Sequence, residues 1–308
     1  MASPARRPRS AARSAVGRAP QPGSPPGAAP VEPRTLAPPE RRAARVLAVE
    51  RVGPYDLITA LDPAGPREPR PGQFYMLSAG ERWGGGVGER PYLPRAFSYA
   101  RARPGRDGVE LDFLLEDVGP GTHRLRELRA GEPLLVLGPL GVGFRAPGVE
   151  RAALLVGGGI GVAPLLCLES ELASGGTPPR TMLGFRSAAH AQAATLFAGE
   201  PDLTTDDGSA GRHGLVTEPL AEALAADAAV EVYACGPPAM LEATRSICAE
   251  RSTPAQLAME SGMACGFGAC FGCVVQTRSG YVRLCVDGPV LDAATLDSAL
   301  SAGGSHQG

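Results

Sequence analysis

The stretch AALLVGGGIGVAPLLCL, residues 152–168, decides how the second half of this chain folds. An apolar run ends in glycines, and a second apolar run that is long enough for a helix follows them. The sequence therefore predicts a buried strand, a tight turn and a helix. A membrane span is the competing interpretation, but the run is slightly short for one, and four glycines and Pro164 interrupt it.

Strands and helices alternate on the C-terminal side of this stretch. Apolar runs of strand length predict strands at 152–156, 181–185 and 230–234, and longer segments predict helices at 163–172, 218–226 and 238–250. Strands that alternate with helices are typical of a parallel sheet covered by helices.

A different pattern precedes the region of alternating strands and helices. Residues 44–137 form short alternating segments separated by Gly and Pro turns, which favours antiparallel strands closing into a barrel. After residue 253 the pattern becomes a loop rich in Gly and Cys and then one hairpin. The expected fold class is mixed β and α/β: an antiparallel β-barrel, a parallel-sheet α/β domain and a small C-terminal loop and hairpin module. The expected limits are a disordered tail at 1–42, the barrel at 43–148, the α/β domain at 149–252, the cysteine module at 253–295 and a flexible tail at 296–308.

Composition limits the classes of partner. The formal net charge of −2 gives no electrostatic reason to expect binding to nucleic acid or to an anionic membrane. Residues 1–40 lack the apolar segment that a secretory signal needs, although an organelle transit peptide stays open. Without an export signal we expect a cytoplasmic protein with reduced thiols, in which seven cysteines favour metal binding over disulfides.

Two strand ends predict a nucleotide site. The first carries glycines between a strand and a helix, so that backbone N–H groups and the helix N-terminus can face a pyrophosphate. The second falls later in the same sheet, where ligands of open α/β sheets collect. Glycines that serve only a tight turn, and a buried structural thiol, are the alternatives. The candidate residues are Gly157, Gly158, Gly159 and Gly161 at the first strand end, and Cys235 and Gly236 at the second.

Two motifs in the barrel region carry groups suited to a planar ring and to phosphate. The strand RAFSY offers a guanidinium, an aromatic ring and a hydroxyl, and the loop GPGT offers backbone N–H groups and a hydroxyl. An ordinary barrel strand with a surface Arg is the alternative. The candidates are Arg95, Ala96, Phe97 and Ser98 in the strand, and Gly119, Gly121 and Thr122 in the loop.

The cysteine spacing is the most specific signal in the chain. Cys265, Cys270 and Cys273 follow the C-x4-C-x2-C pattern, and Cys285 comes twelve residues later, which is the plant-type arrangement for a 2Fe-2S centre. We expect Gly266, Gly268 and Gly272 to let the backbone turn its N–H groups towards the sulfurs. Structural zinc stays open as an alternative, although zinc usually takes two short-spaced pairs.

Taken in order, these motifs resemble the electron-transfer subunit of two-subunit, NAD-dependent dihydroorotate dehydrogenase, a branch of the ferredoxin reductase superfamily. The resemblance covers residues 43–292 and is most specific in the C-terminal block. Ala96 departs from the family pattern, which usually has Pro there. The motifs that carry the resemblance are RAFSY, GPGT, GPLGVGF, GGGIGVAP, DDGSAGRHG, YACGP, ESGMACGFGACFGC and CVDGPV.

The resemblance implies a barrel that binds FAD, a domain that receives NAD(H), and a 2Fe-2S cluster. It implies that electrons pass between these groups and a separate FMN-containing dihydroorotate dehydrogenase catalytic subunit, in a heterotetramer that serves pyrimidine biosynthesis. Arg95 and Ser98 would hold the flavin, Gly119 and Thr122 its phosphates, residues 157–161 the NAD pyrophosphate, and the four cysteines the irons. The four histidines are scattered, and no catalytic acid or base is expected, because an electron relay needs none.

Two other functions stay open. The same module serves other reductases, of the ferredoxin:NADP reductase or sulfhydrogenase type, and Arg186 after the second strand would suit the 2′-phosphate of NADP. A zinc-binding interaction protein is the alternative from a non-enzymatic class.

Overall fold

The computed structural model describes residues 40–66, 68–79, 93–227 and 229–300. The predicted N-terminal tail lies outside these residues up to position 39, and the predicted C-terminal tail lies outside them from position 301.

The first sheet contains seven antiparallel strands, which are interrupted by one short helix. Its strand order is β4-β3-β7-β1-β2-β6-β5, and β4 contacts β6, so the sheet curls towards closure. The elements are β1 (Arg41–Val52), β2 (Tyr55–Asp62), β3 (Phe74–Ala79), β4 (Arg95–Ser98), β5 (Arg101–Gly105), β6 (Gly108–Glu116), α1 (Pro120–Arg126) and β7 (Pro133–Leu140).

Aromatic rings fill the inside of this sheet. Tyr75 packs edge to face against Tyr99 and Phe113, with ring centroids 6.1 and 5.6 Å apart, and all three side chains are buried. Each buried aromatic ring of this kind removes a large apolar surface from water, which stabilises the barrel.

The second sheet is parallel except at one edge, with strand order β11-β10-β9-β8-β12-β13-β16. A separate hairpin of β14 and β15 lies between β13 and β16 in the sequence. The elements are β8 (Ala152–Gly158), α2 (Ala163–Ser174), β9 (Arg180–Phe185), α3 (Ala188–Ala191), β10 (Asp202–Thr205), β11 (Arg212–His213), α4 (Thr217–Ala226), β12 (Val230–Cys235), α5 (Pro238–Glu250), β13 (Ala255–Ala258), β14 (Val274–Thr277), β15 (Gly280–Arg283), α6 (Leu284–Asp287) and β16 (Val290–Asp292).

These sheets confirm the predicted fold class, and each predicted strand and helix of the α/β region is present within about two residues at either end. The cysteine module is connected differently from the expectation. Strand β13 pairs in parallel with β12, and β16 pairs antiparallel with β13, so the module is an insertion between two neighbouring strands of one sheet. Strands of three and four residues are too short to show a period, which is why the expected limit at residue 252 falls before β13.

One apolar core joins the three parts. Phe74 and Met76 of the barrel, Leu257 of the second sheet, and Cys273 and Cys285 of the module are buried in the same cluster. At the far end of the barrel the backbone N–H of Val142 donates to the carbonyl of Gly288. Among the described residues, no helix is long and apolar enough to cross a membrane.

Candidate functional site

The glycine loop after β8 opens onto a cavity of about 370 Å³, which we call the first cavity. Gly159 has a φ of 53°, in the left-handed region that favours glycine. A Cβ added there would find no atom within 4 Å, so this backbone faces open space. Gly158, Gly159, Ile160 and Gly161 all line the cavity, and α2 begins two residues later.

The second strand end meets the first at close range. A Cβ on Gly161 would lie 2.6 Å from the Gly236 Cα, and a Cβ on Gly158 would lie 2.9 Å from the Pro237 Cδ. Glycine is required at Gly161 because its neighbour there is backbone, which has no side chain to move aside. The structure therefore brings Gly158, Gly159, Gly161 and Gly236 together around the first cavity.

Two of the predicted residues have a different place. Gly157 lies inside the sheet, where a Cβ would meet Leu183 Cδ2 at 2.8 Å, so its small size serves packing. Cys235 is buried in the apolar core and does not line the first cavity. Burial, and then the nearby Glu260 carboxylate, raise the pKa of the Cys235 thiol, which keeps it protonated.

The barrel motif lines a second cavity, of about 210 Å³. Ala96, Phe97 and Ser98 contribute to its wall, opposite Met259 and Met263 of the C-terminal part of the chain. Strand β4 ends at Ser98, and the next side chain, Tyr99, turns into the barrel core, where its hydroxyl donates to the Pro69 carbonyl at 2.6 Å.

Arg95 lies over the GPGT loop. A Cβ on Gly121 would meet the Arg95 guanidinium at 2.8 Å, so the two motifs that were separate in sequence are adjacent. The Thr122 hydroxyl is used inside the loop, because it accepts from the Gly119 N–H at 3.1 Å and donates to the Gly119 carbonyl at 2.9 Å. The Arg95 guanidinium donates to the Leu93 carbonyl through Nη1 and keeps further N–H groups to contact a phosphate, while Thr122 holds the loop in shape.

Glu260, which belongs to none of the predicted motif sites, lines both cavities. Ile160 and Gly161 line both cavities as well. Glu260 is exposed to solvent where it lines the cavities, and desolvation by the surrounding protein atoms raises the pKa of its carboxyl group. Within the described part of the chain it makes no hydrogen bond or ion pair. An acid directly after a buried strand, at the carboxyl edge of a parallel sheet, was the available signal.

The four predicted cysteines lie in one region. Cys265, Cys270 and Cys273 are on the loop between β13 and β14, and Cys285 is on α6. Cys273 and Cys285 are each 2% exposed, Cys265 is half-buried and Cys270 is exposed. The set therefore has one edge at the protein surface and the opposite edge in the core.

Backbone N–H groups point at these sulfurs. Burial opposes ionisation of Cys265, but hydrogen bonds from the backbone of Cys270, Phe267 and Ala269 and from the Cys270 side chain lower its pKa to about 7. The Cys285 N–H lies 3.5 Å from Cys273 Sγ. Burial first, and then the neighbouring Cys273, raise the pKa of Cys285 to about 12, so a cation is needed to hold that thiolate.

The sulfurs are arranged as two pairs. Cys265 is hydrogen-bonded to Cys270, and Cys285 to Cys273, while the charge of Cys265 is close enough to act on Cys285. Among the described residues, no group of three or more His, Cys, Asp or Glu can hold a single metal ion. Two adjacent cysteine pairs fit two bridged irons better than one tetrahedral zinc, and the inward N–H groups fit an anionic cluster.

The turns of the loop differ in one respect from the prediction. Gly266 and Gly268 have φ values of 80° and 86°, as expected, whereas Gly272 has no positive φ. Phe271 takes the left-handed conformation instead, with a φ of 58°, at a cost that its surroundings must offset. Arg283 braces this turn, because its guanidinium lies 5.4 Å from the Phe271 ring centroid and donates to the Gly268 carbonyl at 3.1 Å.

Comparison with known proteins gives the same assignment. The family described as the iron-sulfur cluster binding domain of dihydroorotate dehydrogenase B matches residues 260–297. The dihydroorotate dehydrogenase B (NAD(+)) electron transfer subunit of Clostridium acetobutylicum is 34% identical over 248 residues, which are 80% of this chain and 94% of the relative. The corresponding subunit of Bacillus caldolyticus is 44% identical over 195 residues, 60% of this chain and 73% of the relative.

Solved structures agree on the fold. An NADH-dependent reduced ferredoxin-NADP oxidoreductase structure matches with a TM-score of 0.70 at 24% identity, over 84% of this chain and 91% of that chain. A ferredoxin reductase from carbazole 1,9a-dioxygenase matches with a TM-score of 0.60 at 23% identity, over 71% of this chain and 68% of that chain.

The fold is that of the ferredoxin reductases. Within that class, the chain belongs to the family of dihydroorotate dehydrogenase B (NAD(+)) electron transfer subunits. The resemblance found in the sequence motifs is thereby confirmed.

Proposed function

We propose that this chain is the electron-transfer subunit of an NAD-dependent dihydroorotate dehydrogenase. It passes electrons between NAD(H), FAD and a 2Fe-2S cluster, and on to or from a separate FMN-containing catalytic subunit. The observation that carries the proposal is the position of the cysteine loop beside the barrel and the second cavity. A Cβ on Gly266 would lie 2.5 Å from Met76 Cγ in β3 of the barrel, and Met263, two residues before Cys265, lines the second cavity.

Each cofactor has candidate residues. The backbone of residues 158–161 would bind the coenzyme pyrophosphate in the first cavity, and Phe97 and Ser98 would contact the flavin ring in the second. Arg95 and the loop at Gly119 and Gly121 would hold the flavin phosphates.

The residues that line both cavities indicate the order in which the coenzyme, the flavin and the cluster would lie. Ile160, Gly161 and Glu260 line both cavities, so nicotinamide and flavin meet there. When bound, FAD supplies the exchange between hydride transfer and one-electron transfer that a 2Fe-2S cluster requires. Cys265 and Cys270 would hold one iron of the cluster, and Cys273 and Cys285 the other.

The exposed edge of the cysteine loop is the surface for the catalytic subunit. Phe267 and Phe271 are 48% and 62% exposed, unusual values for large apolar side chains, and they flank the exposed Cys270. Aromatic side chains are typical anchors of protein interfaces. We propose that this edge docks onto the FMN-containing subunit in a cytoplasmic heterotetramer, so that the cluster faces the partner's flavin.

Purification and reconstitution test the proposal. The isolated chain should be yellow-brown, contain iron and acid-labile sulfide, and bleach when NADH is added, yet leave dihydroorotate unoxidised. Addition of the catalytic subunit should restore dihydroorotate oxidation coupled to NAD+. Oxidation of dihydroorotate by the isolated chain would contradict the division of labour between the subunits.

The two other functions have weaker support. A ferredoxin-NADP oxidoreductase shares the fold, but two relatives that align over 94% of their own length are dihydroorotate dehydrogenase B electron transfer subunits. A zinc protein would be colourless, and the paired sulfurs suit two metal ions better than one.

A further inference from the structure

The first cavity has two distinguishable ends. One end is shared with the second cavity through Ile160, Gly161 and Glu260. At the other end the walls come from residues that follow β9 and β10, namely Arg186 and Asp206. Because β9 and β10 lie beside β8 in that order, and neighbouring strands are about 4.8 Å apart, the end of β10 is about 10 Å to the side of the glycine loop.

The orientation of a dinucleotide in this cavity follows, if the proposed function holds. Its pyrophosphate lies on the glycine loop, and its nicotinamide must reach the end that is shared with the second cavity. The adenosine ribose therefore lies at the opposite end, between Arg186 and Asp206. These two side chains face the ribose 2′ position, the only place where NAD(H) and NADP(H) differ.

At that end of the cavity two carboxylates, of Glu116 and Asp206, stand against one guanidinium, of Arg186. Arg186 Nη2 lies 3.5 Å from Glu116 Oε1, and Glu116 comes from β6 of the barrel and also lines the cavity. The Asp206 N–H donates to the Phe185 carbonyl at 2.9 Å, which fixes this residue against the end of β9. The Asp206 carboxylate has no hydrogen bond or ion pair among the described residues, so it is free to accept one from a ligand.

We propose that Asp206 and Glu116 select a coenzyme with a free ribose 2′-hydroxyl, NAD(H), over NADP(H). Asp206 accepts a hydrogen bond from the ribose hydroxyl. A 2′-phosphate would instead meet two carboxylates, while the one guanidinium at this end is already engaged by Glu116. Without Glu116, the Arg186 guanidinium would favour NADP(H), because it could pair with the 2′-phosphate. The ion pair between Arg186 and Glu116 of the barrel reverses that preference.

Variants of the full chain with its cofactors test this selection. The double variant E116Q/D206N should raise the ratio of NADPH to NADH flavin-reduction rates at least tenfold, because it removes both negative charges and frees Arg186. The addition of R186A to the double variant should abolish that gain. The matched control is D207N, because the Asp207 carboxylate is held by Ser209, at 2.9 Å from its N–H and 2.6 Å from its hydroxyl.

A binding measurement gives a readout that does not depend on turnover. Calorimetric titration with ADP-ribose and with 2′-phospho-ADP-ribose should show at least tenfold weaker binding of the phosphorylated ligand, and E116Q/D206N should remove most of that difference. Equal affinity of the unmodified protein for the two ligands, or an affinity ratio in the double variant that stays within twofold of the ratio in the unmodified protein, would overturn the inference alone. Failure of NADH to bleach the unmodified protein would overturn the proposed function as well.

Discussion

Gly161 and Gly236 approach so closely that a methyl group on Gly161 would lie 2.6 Å from the Gly236 Cα. The G161A variant must therefore push the two strand ends apart, at a cost of about 1–3 kcal/mol in the free energy of unfolding. We expect it to retain flavin and iron but to lose at least tenfold in NADH affinity, measured by titration. Gly175, whose Cβ would have only ordinary contacts of 3.4 Å or more, supplies the control variant G175A.

Substitution of Cys273 should remove the cluster without removing the flavin. C273S replaces a buried sulfur that accepts the Cys285 N–H, and a hydroxyl is a poor ligand for iron. Iron and acid-labile sulfide should fall to less than half, while the flavin absorbance and its bleaching by NADH persist. C248A changes a buried thiol on α5 and should keep its iron; equal iron loss in both variants would contradict the assignment.

Glu260 should control the rate of flavin reduction. Among the described residues, Glu260 is the one titratable side chain that lines both cavities, so under the proposed function it lies where nicotinamide and flavin would meet. We expect E260Q to slow flavin reduction by NADH about tenfold in stopped flow with little change in flavin content, and E260D to recover part of the rate. An unchanged rate in E260Q would show that the carboxylate has no part in positioning the rings.

The exposed phenylalanines should govern association with the catalytic subunit. Truncation of a central interface aromatic commonly costs more than 1 kcal/mol of binding, so F267A should weaken the complex about tenfold in a sedimentation or calorimetric assay. V149A, at a residue that is 93% exposed outside the cysteine loop, should leave the affinity unchanged. Iron content has to remain normal in F267A, because a damaged cluster would weaken the complex indirectly.

Glu242 should make stability depend on pH in the acid range. Its hydrogen bonds to Arg245 first, and then to Ala299 and Ser298, lower the pKa of its carboxyl group to about 2 from 4.5. Because the folded-state pKa is depressed, this stability is complete above pH 4.5 and is lost as the pH falls towards 2.

The contribution is about 1 kcal/mol after allowance for solvent screening. Urea unfolding should show E242Q to be less stable than the unmodified chain at pH 7, with a difference that shrinks below pH 4.5. Glu222, in an exposed ion pair with Arg212, is the control, and E222Q should change stability little at any pH.

The sequence predicted the parts of the site whose signal is local. The four cysteines act through spacing along the chain, and the glycine loop through its place between a strand and a helix, so both could be found without a structure. The sequence predicted Gly157 and Cys235 as site residues because each is adjacent to a residue that lines the first cavity. Successive residues of a strand face opposite sides, however, so Gly157 packs inside the sheet and the Cys235 side chain lies in the apolar core.

Other features depend on which segments meet in three dimensions. Glu260 is important because two cavities share it, and Arg283 because it contacts both Gly268 and Phe271. Neither relation is visible as a motif. The turn at Phe271 was assigned to Gly272 because residue type alone favours glycine, whereas the surrounding contacts placed the left-handed residue one position earlier.

Because the cysteine module is inserted directly after β13, the number of residues between the cavity lining and the first cysteine is small. Only five peptide units connect Glu260, which lines both cavities, to Cys265, the first cysteine of the proposed cluster site. A chain of that many residues spans at most about 18 Å, however it is bent. Glu260 and Cys265 are thus joined by a short covalent segment, and no movement between the barrel and the α/β sheet can separate these two residues by more than about 18 Å.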